Sequence, residues 1–153
     1  GTPGTQLAPT AGAMGYGVPA AVAGALRCPD KTVVAVAGDG DFLMNGQELA
    51  TAIQHGANML VIVVDNGGYG TIRMHQEREY PERLSGTTLH NPDFALLAKA
   101  YGAWSETVET TAAFGPALDR ALGQSGVKLL HLKTDMEVIT NGTTIAAIRR
   151  AHE

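Results

Sequence analysis

The sequence predicts an α/β domain built on a parallel, doubly wound sheet with helices on both faces. Three observations carry that prediction. Two runs, Val33 to Ala37 and Met59 to Val64, are apolar at every position instead of alternating, the pattern of strands covered on both sides. A helical stretch separates them, so strand, helix and strand follow within about 33 residues, a βαβ unit whose crossover is expected to be right-handed. The 19 glycines among 153 residues show no repeat and fall at turns beside apolar runs, as in domains that line ligands with backbone.

The elements follow in order. Gly12 to Arg27 begins with closely spaced glycines and becomes alanine-rich, so a helix is expected from Val18 to Leu26, with Pro19 in its first turn. Val33 to Ala37 is a β-branched strand, buried on both faces. Asn45 stands three residues before Glu48 in a capping-box pattern, which predicts a helix from Asn45 to about His55, stopped by Gly56. Met59 to Val64 is the second strand. A helix over Thr71 to Glu79, a loop through Ser85-Gly86-Thr87 and a helix opening at Asn91-Pro92 and ending near Gly102 come next. A strand from Trp104 to Val108, a helix from Thr111 to Leu122 and a strand from Val127 to Thr134 complete the series. Gly115-Pro116 is expected to delay or kink that helix. Residues 136–153 form a tail with an amphipathic helical ending.

One domain fills the chain, with residues 1–11 as an N-terminal loop. Doubly wound sheets ordinarily open with a strand, and this sequence opens with a Gly/Pro/Thr loop, so the first strand is expected to be missing.

Composition excludes several functional classes. With 44% hydrophobic and 17% charged residues, disorder is excluded, and roughly two-thirds of the unfolded surface is available for burial. The net charge is −4, and Arg73, Arg78 and Arg83 alternate with Glu77, Glu79 and Glu82, which argues against nucleic acid as a partner. The longest apolar run is too short for a membrane span, and no signal peptide opens the chain. Cys28 is the only cysteine, so no internal disulfide or cysteine zinc cluster forms, and a cytoplasmic location is expected. The Asn141-Gly142-Thr143 sequon is read as chance.

Ligands of open parallel sheets bind beyond the carboxyl ends of the strands. Two polar clusters stand there: Gly38-Asp39-Gly40-Asp41 after the first strand, and Asp65-Asn66-Gly67-Gly68-Tyr69-Gly70 after the second. If the strands are neighbours, Asp39 and Asn66 meet at one edge. A carboxylate, an amide oxygen and free carbonyls make a hard-oxygen set suited to Mg²⁺ sharing its shell with phosphate. Glycines let backbone N–H groups approach an anion, and helix N-termini near Asn45 and Thr71 add positive dipole ends.

Other motifs fail on the letters. No Gly-Lys pair supports a Walker loop, and the Gly12 to Gly17 glycines lack a preceding strand and the dinucleotide spacing. An EF-hand from Asp39 would put Leu43 and Ala50 at ligand positions. His55, His75, His90, His131 and His152 have no metal-ligand spacing. Asp39-Gly40-Asp41 does match the short pattern of Mg²⁺-dependent nucleotide-sugar transferases, which stays open as an alternative. Taken singly, Asp39 and Asn66 read as turn residues, Met14 as a gap-filling core residue, His75 as a solvated helix histidine and Cys28 as a small buried hydrophobe.

The joint spacing changes that balance. Gly38-Asp39-Gly40 is followed by 25 residues and then Asn66, and Met14 lies 25 residues before Asp39. The stretch Gly12-Ala13-Met14-Gly15-Tyr16-Gly17-Val18-Pro19-Ala20-Ala21 stands upstream, with Asn91-Pro92-Asp93-Phe94 and Ala98-Lys99-Ala100-Tyr101-Gly102 downstream. Over residues 8–135 the sequence resembles the C-terminal diphosphate-binding domain of thiamine diphosphate-dependent enzymes, in the acetolactate synthase and pyruvate oxidase branch.

The resemblance implies the thiamine diphosphate-binding fold, with thiamine diphosphate and Mg²⁺ as cofactors. It implies Asp39 and Asn66 as side-chain ligands of Mg²⁺ and the Gly68 carbonyl as a third. Gly40, Asp41, Gly70 and Thr71 would contact the diphosphate. Met14 would sit beneath the bent cofactor, and the backbone of Gly12 and Met14 would bond the pyrimidine. The bend makes deprotonation of the cofactor intramolecular. No catalytic side chain is assigned, because the family's activating Glu lies on a pyrimidine-binding domain absent from these residues. The implied function is the cofactor half of a 2-keto acid decarboxylase or carboligase, of lyase or transferase type. It would assemble as a homo-oligomer or with a pyrimidine-binding subunit, and would be inactive alone. His75 stands where acetolactate synthases carry a Trp that shapes the acceptor pocket. A non-catalytic assembly or regulatory domain is the remaining alternative.

Overall fold

β-Branched and aliphatic runs build a four-stranded, wholly parallel sheet: β1 (Val33–Gly38), β2 (Met59–Asp65), β3 (Trp104–Val108) and β4 (Val127–Lys133). The structure is a computed structural model and describes residues 4–151, so residues 1–3 of the N-terminal loop and His152 and Glu153 of the tail lie outside the described residues. The spatial order is β1-β2-β4-β3. Gly38 is level with Val64, so the chain leaves β1 and β2 at the same edge, and Asp65 is level with Lys133.

Among the described residues seven α-helices surround the sheet: α1 (Gly17–Arg27), α2 (Asp39–Asn45), α3 (Leu49–Gln54), α4 (Gly70–Glu79), α5 (Phe94–Ala100), α6 (Thr111–Leu122) and α7 (Ile145–Arg150). In α1 the buried residues are Val18, Ala21, Val22 and Ala25, the i, i+3, i+4, i+7 stripe of a core-facing helix. Pro19 costs little there, since first-turn N–H groups have no helical acceptor. One face of the sheet (Ala35, Ala37, Met59, Val61, Val63, Leu129) packs on α1, α2, α3 and α5. The other (Leu60, Val108, Leu130) packs on Ala117 and Ala121 of α6.

Four expectations are corrected. β1 is not buried on both faces: Val34 and Val36 are 47% and 65% exposed, because α6 covers the β2-β4-β3 side and β1 is an edge strand paired only with β2 among the described residues. Asn45 does not cap a helix running to His55. The helix after β1 starts at Asp39 and ends at Asn45, a 3₁₀ turn over Gly46–Glu48 follows, and Asn45 Nδ2 instead donates to the Gly15 carbonyl at 2.9 Å. The helix expected at Asn91 starts at Phe94, because Asp93 is the residue whose side chain accepts from Leu96 N at 2.9 Å. Gly115-Pro116 does not delay α6, whose start is set upstream by Thr110 accepting from Ala113 N. Cys28 is half-buried.

α4 is unusual in that Glu77 is its one buried residue. Apolar burial therefore does little to hold it. Arg73 of the same helix and Arg149 of α7 both pair with Glu77, at 2.8 and 2.7 Å. Burying Ile145 and Ile148 seats α7, and Thr144 caps it by accepting from Ala147 N.

Candidate functional site

The carboxyl ends of β1 and β2 open on a cavity of about 320 Å³. Eight of the nine expected site residues line it: Met14, Asp39, Gly40, Asp41, Asn66, Gly68, Gly70 and Thr71. Gly12 does not; its φ is +65° and its N–H donates to the Pro9 carbonyl. Tyr69, Ile72 and Ile139 complete the wall, the last from the segment leading to α7.

The geometry starts at the strand ends. Asp39, the first residue of α2, is almost fully buried. Its Oδ1 accepts from Gly40 N at 2.9 Å and its Oδ2 from Gly68 N at 2.9 Å. The same Gly68 N–H also reaches Asn66 Oδ1 at 3.1 Å, so one backbone donor joins the Asp39 carboxylate to the Asn66 amide oxygen. Gly67, at φ +76°, makes the turn that allows this. A Cβ on Gly40 would overlap the Tyr69 ring, and one on Gly70 would come within 2.8 Å of Asn66 Nδ2. Gly40 lets the start of α2 pack against Tyr69 of the second cluster, and Gly70 lets that cluster fold back on its own Asn66.

Asp41 serves a different end. Its Oδ1 accepts from Gly15 N at 2.6 Å while Asn45 Nδ2 holds the Gly15 carbonyl, so α2 grips both polar groups of one glycine. Gly15 has φ +85°, and a Cβ there would meet Asn45 Nδ2 and Met44 Cβ below 3 Å. The grip fixes the loop that sets Met14, itself 43% exposed, at the cavity wall.

A second layer escaped the sequence reading. Asp65 accepts from Lys133 Nζ at 2.6 Å, from Asn91 Nδ2 at 2.7 Å and from Gly67 N at 3.0 Å, with His131 Nε2 at 2.8 Å. Burial alone would raise its pKa, but these donors, Lys133 foremost, hold the carboxyl ionised far below the usual range. His131 is buried beside the Phe94 ring, centroids 5.1 Å apart, and edge-on to it. Its signal in the sequence was a histidine interrupting the aliphatic strand Val127–Lys133. Asn91, read as a helix start and as part of the Asn91-Pro92-Asp93-Phe94 motif but given no site role, donates to Asp39 Oδ2 and Asp65 Oδ1, both at 2.7 Å.

Among the described residues no group of three His, Cys, Asp or Glu side chains is arranged to hold a metal ion. One carboxylate, one amide oxygen and a neighbouring carbonyl fit a hard cation that keeps further oxygens from a diphosphate. Residues 2–132 match the family model of the thiamine pyrophosphate enzyme C-terminal, TPP-binding domain. The chain belongs to that family.

This thiamine pyrophosphate domain is 40% identical over 125 residues to the acetolactate synthase isozyme 2 large subunit of Escherichia coli (strain K12), covering 81% of the chain and 23% of that protein. It is 39% identical over 124 residues to an acetolactate synthase of Arthrospira platensis, covering 80% of the chain and 21% of the relative. Among solved structures, benzoylformate decarboxylase from Polynucleobacter necessarius superposes with a TM-score of 0.76 at 31% identity, over 82% of this chain and 24% of that one. The domain thus spans about a quarter of the length of these relatives. His75 is exposed on α4 and takes no part in the cavity wall. No helix among the described residues is long and apolar enough to cross a membrane.

Proposed function

We propose that this chain holds thiamine diphosphate and Mg²⁺ for a cytoplasmic 2-keto acid decarboxylase or carboligase of acetolactate synthase-like type, a lyase or transferase. The observation that carries the reading is the convergence of Asp39 and Asn66 on the single N–H of Gly68 at the mouth of the cavity. In this reading Asp39, Asn66 and the Gly68 carbonyl ligate Mg²⁺, and Gly40, Asp41, Gly70 and Thr71 face the diphosphate. Met14 forms the ledge under the cofactor and offers backbone to its pyrimidine, whereas Gly12 stands outside the cavity wall.

Bound thiamine diphosphate supplies the electron sink for the bond broken in decarboxylation. The chain supplies position: a preset turn at Gly67, close packing at Gly40 and Gly70, and a fixed loop at Gly15 limit the cofactor's freedom. It does not supply the proton relay. The carboxylates lining the cavity are Asp39 and Asp41, and both are engaged by backbone N–H groups. That role falls to a pyrimidine-binding domain or subunit, which also completes the substrate pocket.

Calorimetry with thiamine diphosphate, run with Mg²⁺ and with EDTA, tests the reading. Asp39→Ala and Asn66→Ala should each abolish the Mg²⁺-dependent part of the binding. Asn66 is only half-buried and its variant should keep the fold, whereas Asp39→Ala leaves three buried donors without an acceptor and is scored only where far-UV circular dichroism shows it folded. Unchanged affinity in either variant would refute the site.

A further inference from the structure

Asn91 belongs to neither of the two polar clusters. It arrives from a separate loop, residues 81–93, which lies across the strand ends through Tyr69 N donating to Thr87 O and Leu89 N donating to Gly67 O, each at 2.9 Å. Its side-chain amide nitrogen then sits between two carboxylates, giving one hydrogen to Asp39 Oδ2 and the other to Asp65 Oδ1. The orientation is forced, because an amide oxygen in that place would face two anions. The Asn91 oxygen is buried without a hydrogen-bond partner among the described residues, a cost accepted to keep both hydrogens on the carboxylates.

The two carboxylates differ in what holds them. Asp65 is anchored on every side by Lys133, His131 and Gly67 N. Asp39 has only two backbone N–H groups besides Asn91, and one of those is shared with Asn66. Besides the Gly67-Gly68 backbone, whose N–H groups bind Asp65 and Asp39 in turn, Asn91 is the side chain that joins the two carboxylates. Without it, two buried like charges would face each other and the less anchored one, Asp39, would rotate away.

We infer that Asn91 is a positioning residue: it ties the Asp39 carboxylate to the Asp65 anchor and so fixes the oxygen geometry offered to the divalent cation. The inference rests on the proposed Mg²⁺-diphosphate site and names a residue on which that site's cation selectivity depends. Mg²⁺ demands near-ideal octahedral geometry, whereas Ca²⁺ accepts a looser, larger shell, so a freed Asp39 penalises Mg²⁺ more.

The test titrates Mg²⁺ and Ca²⁺ into the chain with saturating thiamine diphosphate, comparing the parent with Asn91→Ala and with the similarly shaped Asn91→Leu. Outer-shell partners typically contribute about 10–100-fold to metal affinity. Both variants should weaken Mg²⁺ binding by about that factor and Ca²⁺ clearly less, so that the Mg²⁺/Ca²⁺ preference narrows. Far-UV circular dichroism checks that the variant scored is folded, and the second variant serves if the first is not. Parental Mg²⁺ affinity in a folded variant, or an equal loss for both cations, overturns the role of Asn91. Absence of any metal-dependent binding by the parent would instead overturn the functional reading, and the positioning role with it.

Discussion

Arg149 of α7 places its Nε and Nη2 on the two carboxylate oxygens of Glu77 in α4, at 2.8 and 2.7 Å, across 72 residues of sequence. Glu77 is fully buried and also takes Arg73 and the Glu82 N–H. Since Glu77 is the only buried residue of α4, this bidentate pair does for the helix what an apolar stripe does elsewhere. α4 begins at Gly70 and Thr71 in the cavity wall, and the segment before α7 supplies Ile139, so the pair braces both sides of the site.

The first prediction is a pH dependence of that brace. Arg149, ahead of the other donors, lowers the Glu77 pKa from 4.5 to about 2. The unfolded chain then binds the proton first, so the stabilisation is complete above pH 4.5 and is lost as pH falls towards 2. The hydrogen-exchange protection factors of residues 145–150, taken against the pH-dependent intrinsic rates, should fall across that window. Glu77→Gln should remove this step and leave α7 loosely docked at neutral pH. Equal protection of α7 in both proteins at pH 7 would contradict the brace.

The second prediction concerns Gly15. Its positive φ and the close approach of Met44 and Asn45 make Gly15→Ala strained on two counts, with an expected cost of about 1–3 kcal/mol. Asn45→Ala removes only the bond to the Gly15 carbonyl, about 1 kcal/mol. Both should weaken thiamine diphosphate binding through a displaced Met14. Denaturant unfolding and calorimetry separate the two effects, and an Asn45→Ala protein with unchanged cofactor affinity would dissociate the grip from Met14.

How much of this was legible in the letters differs by kind of interaction. The strands and α6 were readable because local apolar runs and a local cap determine them. The spacing between Asp39 and Asn66 was readable because the adjacent parallel strands pair in register from Val33 with Met59 to Gly38 with Val64, which puts both residues at one edge. Asn45 misled because a three-residue capping pattern is local, whereas its actual partner, the Gly15 carbonyl, is 30 residues away. Asn91 and His131 were missed for the same reason: each acquires its role from a partner that only the β2-β4 pairing and the returning loop bring near. β1 was overread because an apolar run reports what a strand tolerates on its faces and not which helix is there to cover them.

The third prediction follows from that uncovered face. Val34 and Val36 stand on an edge strand with no neighbour on one side among the described residues, a combination that invites pairing with another chain. The chain should self-associate with rising concentration, and Val36→Lys should suppress it with little change in stability, because the side chain is mostly exposed. Sedimentation velocity across a concentration series checks this. Parent and variant sedimenting alike as monomers would place the association surface elsewhere or remove it.

The last prediction is that this chain by itself turns over no 2-keto acid. Catalysis needs the cofactor held, bent and relayed a proton, and the cavity has candidates for the first two only. Asp39 is engaged by the Gly40 and Gly68 N–H groups and Asp41 by that of Gly15, so neither carboxylate is free to protonate a pyrimidine nitrogen. Losing a positioned proton-transfer group costs about 10²–10⁴-fold. Losing the enclosing domain also sacrifices orientation and the exclusion of water. The measurement is CO₂ release from pyruvate and related 2-keto acids by highly purified chain with thiamine diphosphate and Mg²⁺, repeated after adding a separately produced pyrimidine-binding partner. Activity is expected only in the second case. Turnover of about one per second, ordinary for an enzyme, from the chain alone would mean that one of its own carboxylates leaves its backbone partner to carry the proton. Asp41, whose carboxylate accepts only from Gly15 N among the described residues, would then be the first residue to replace.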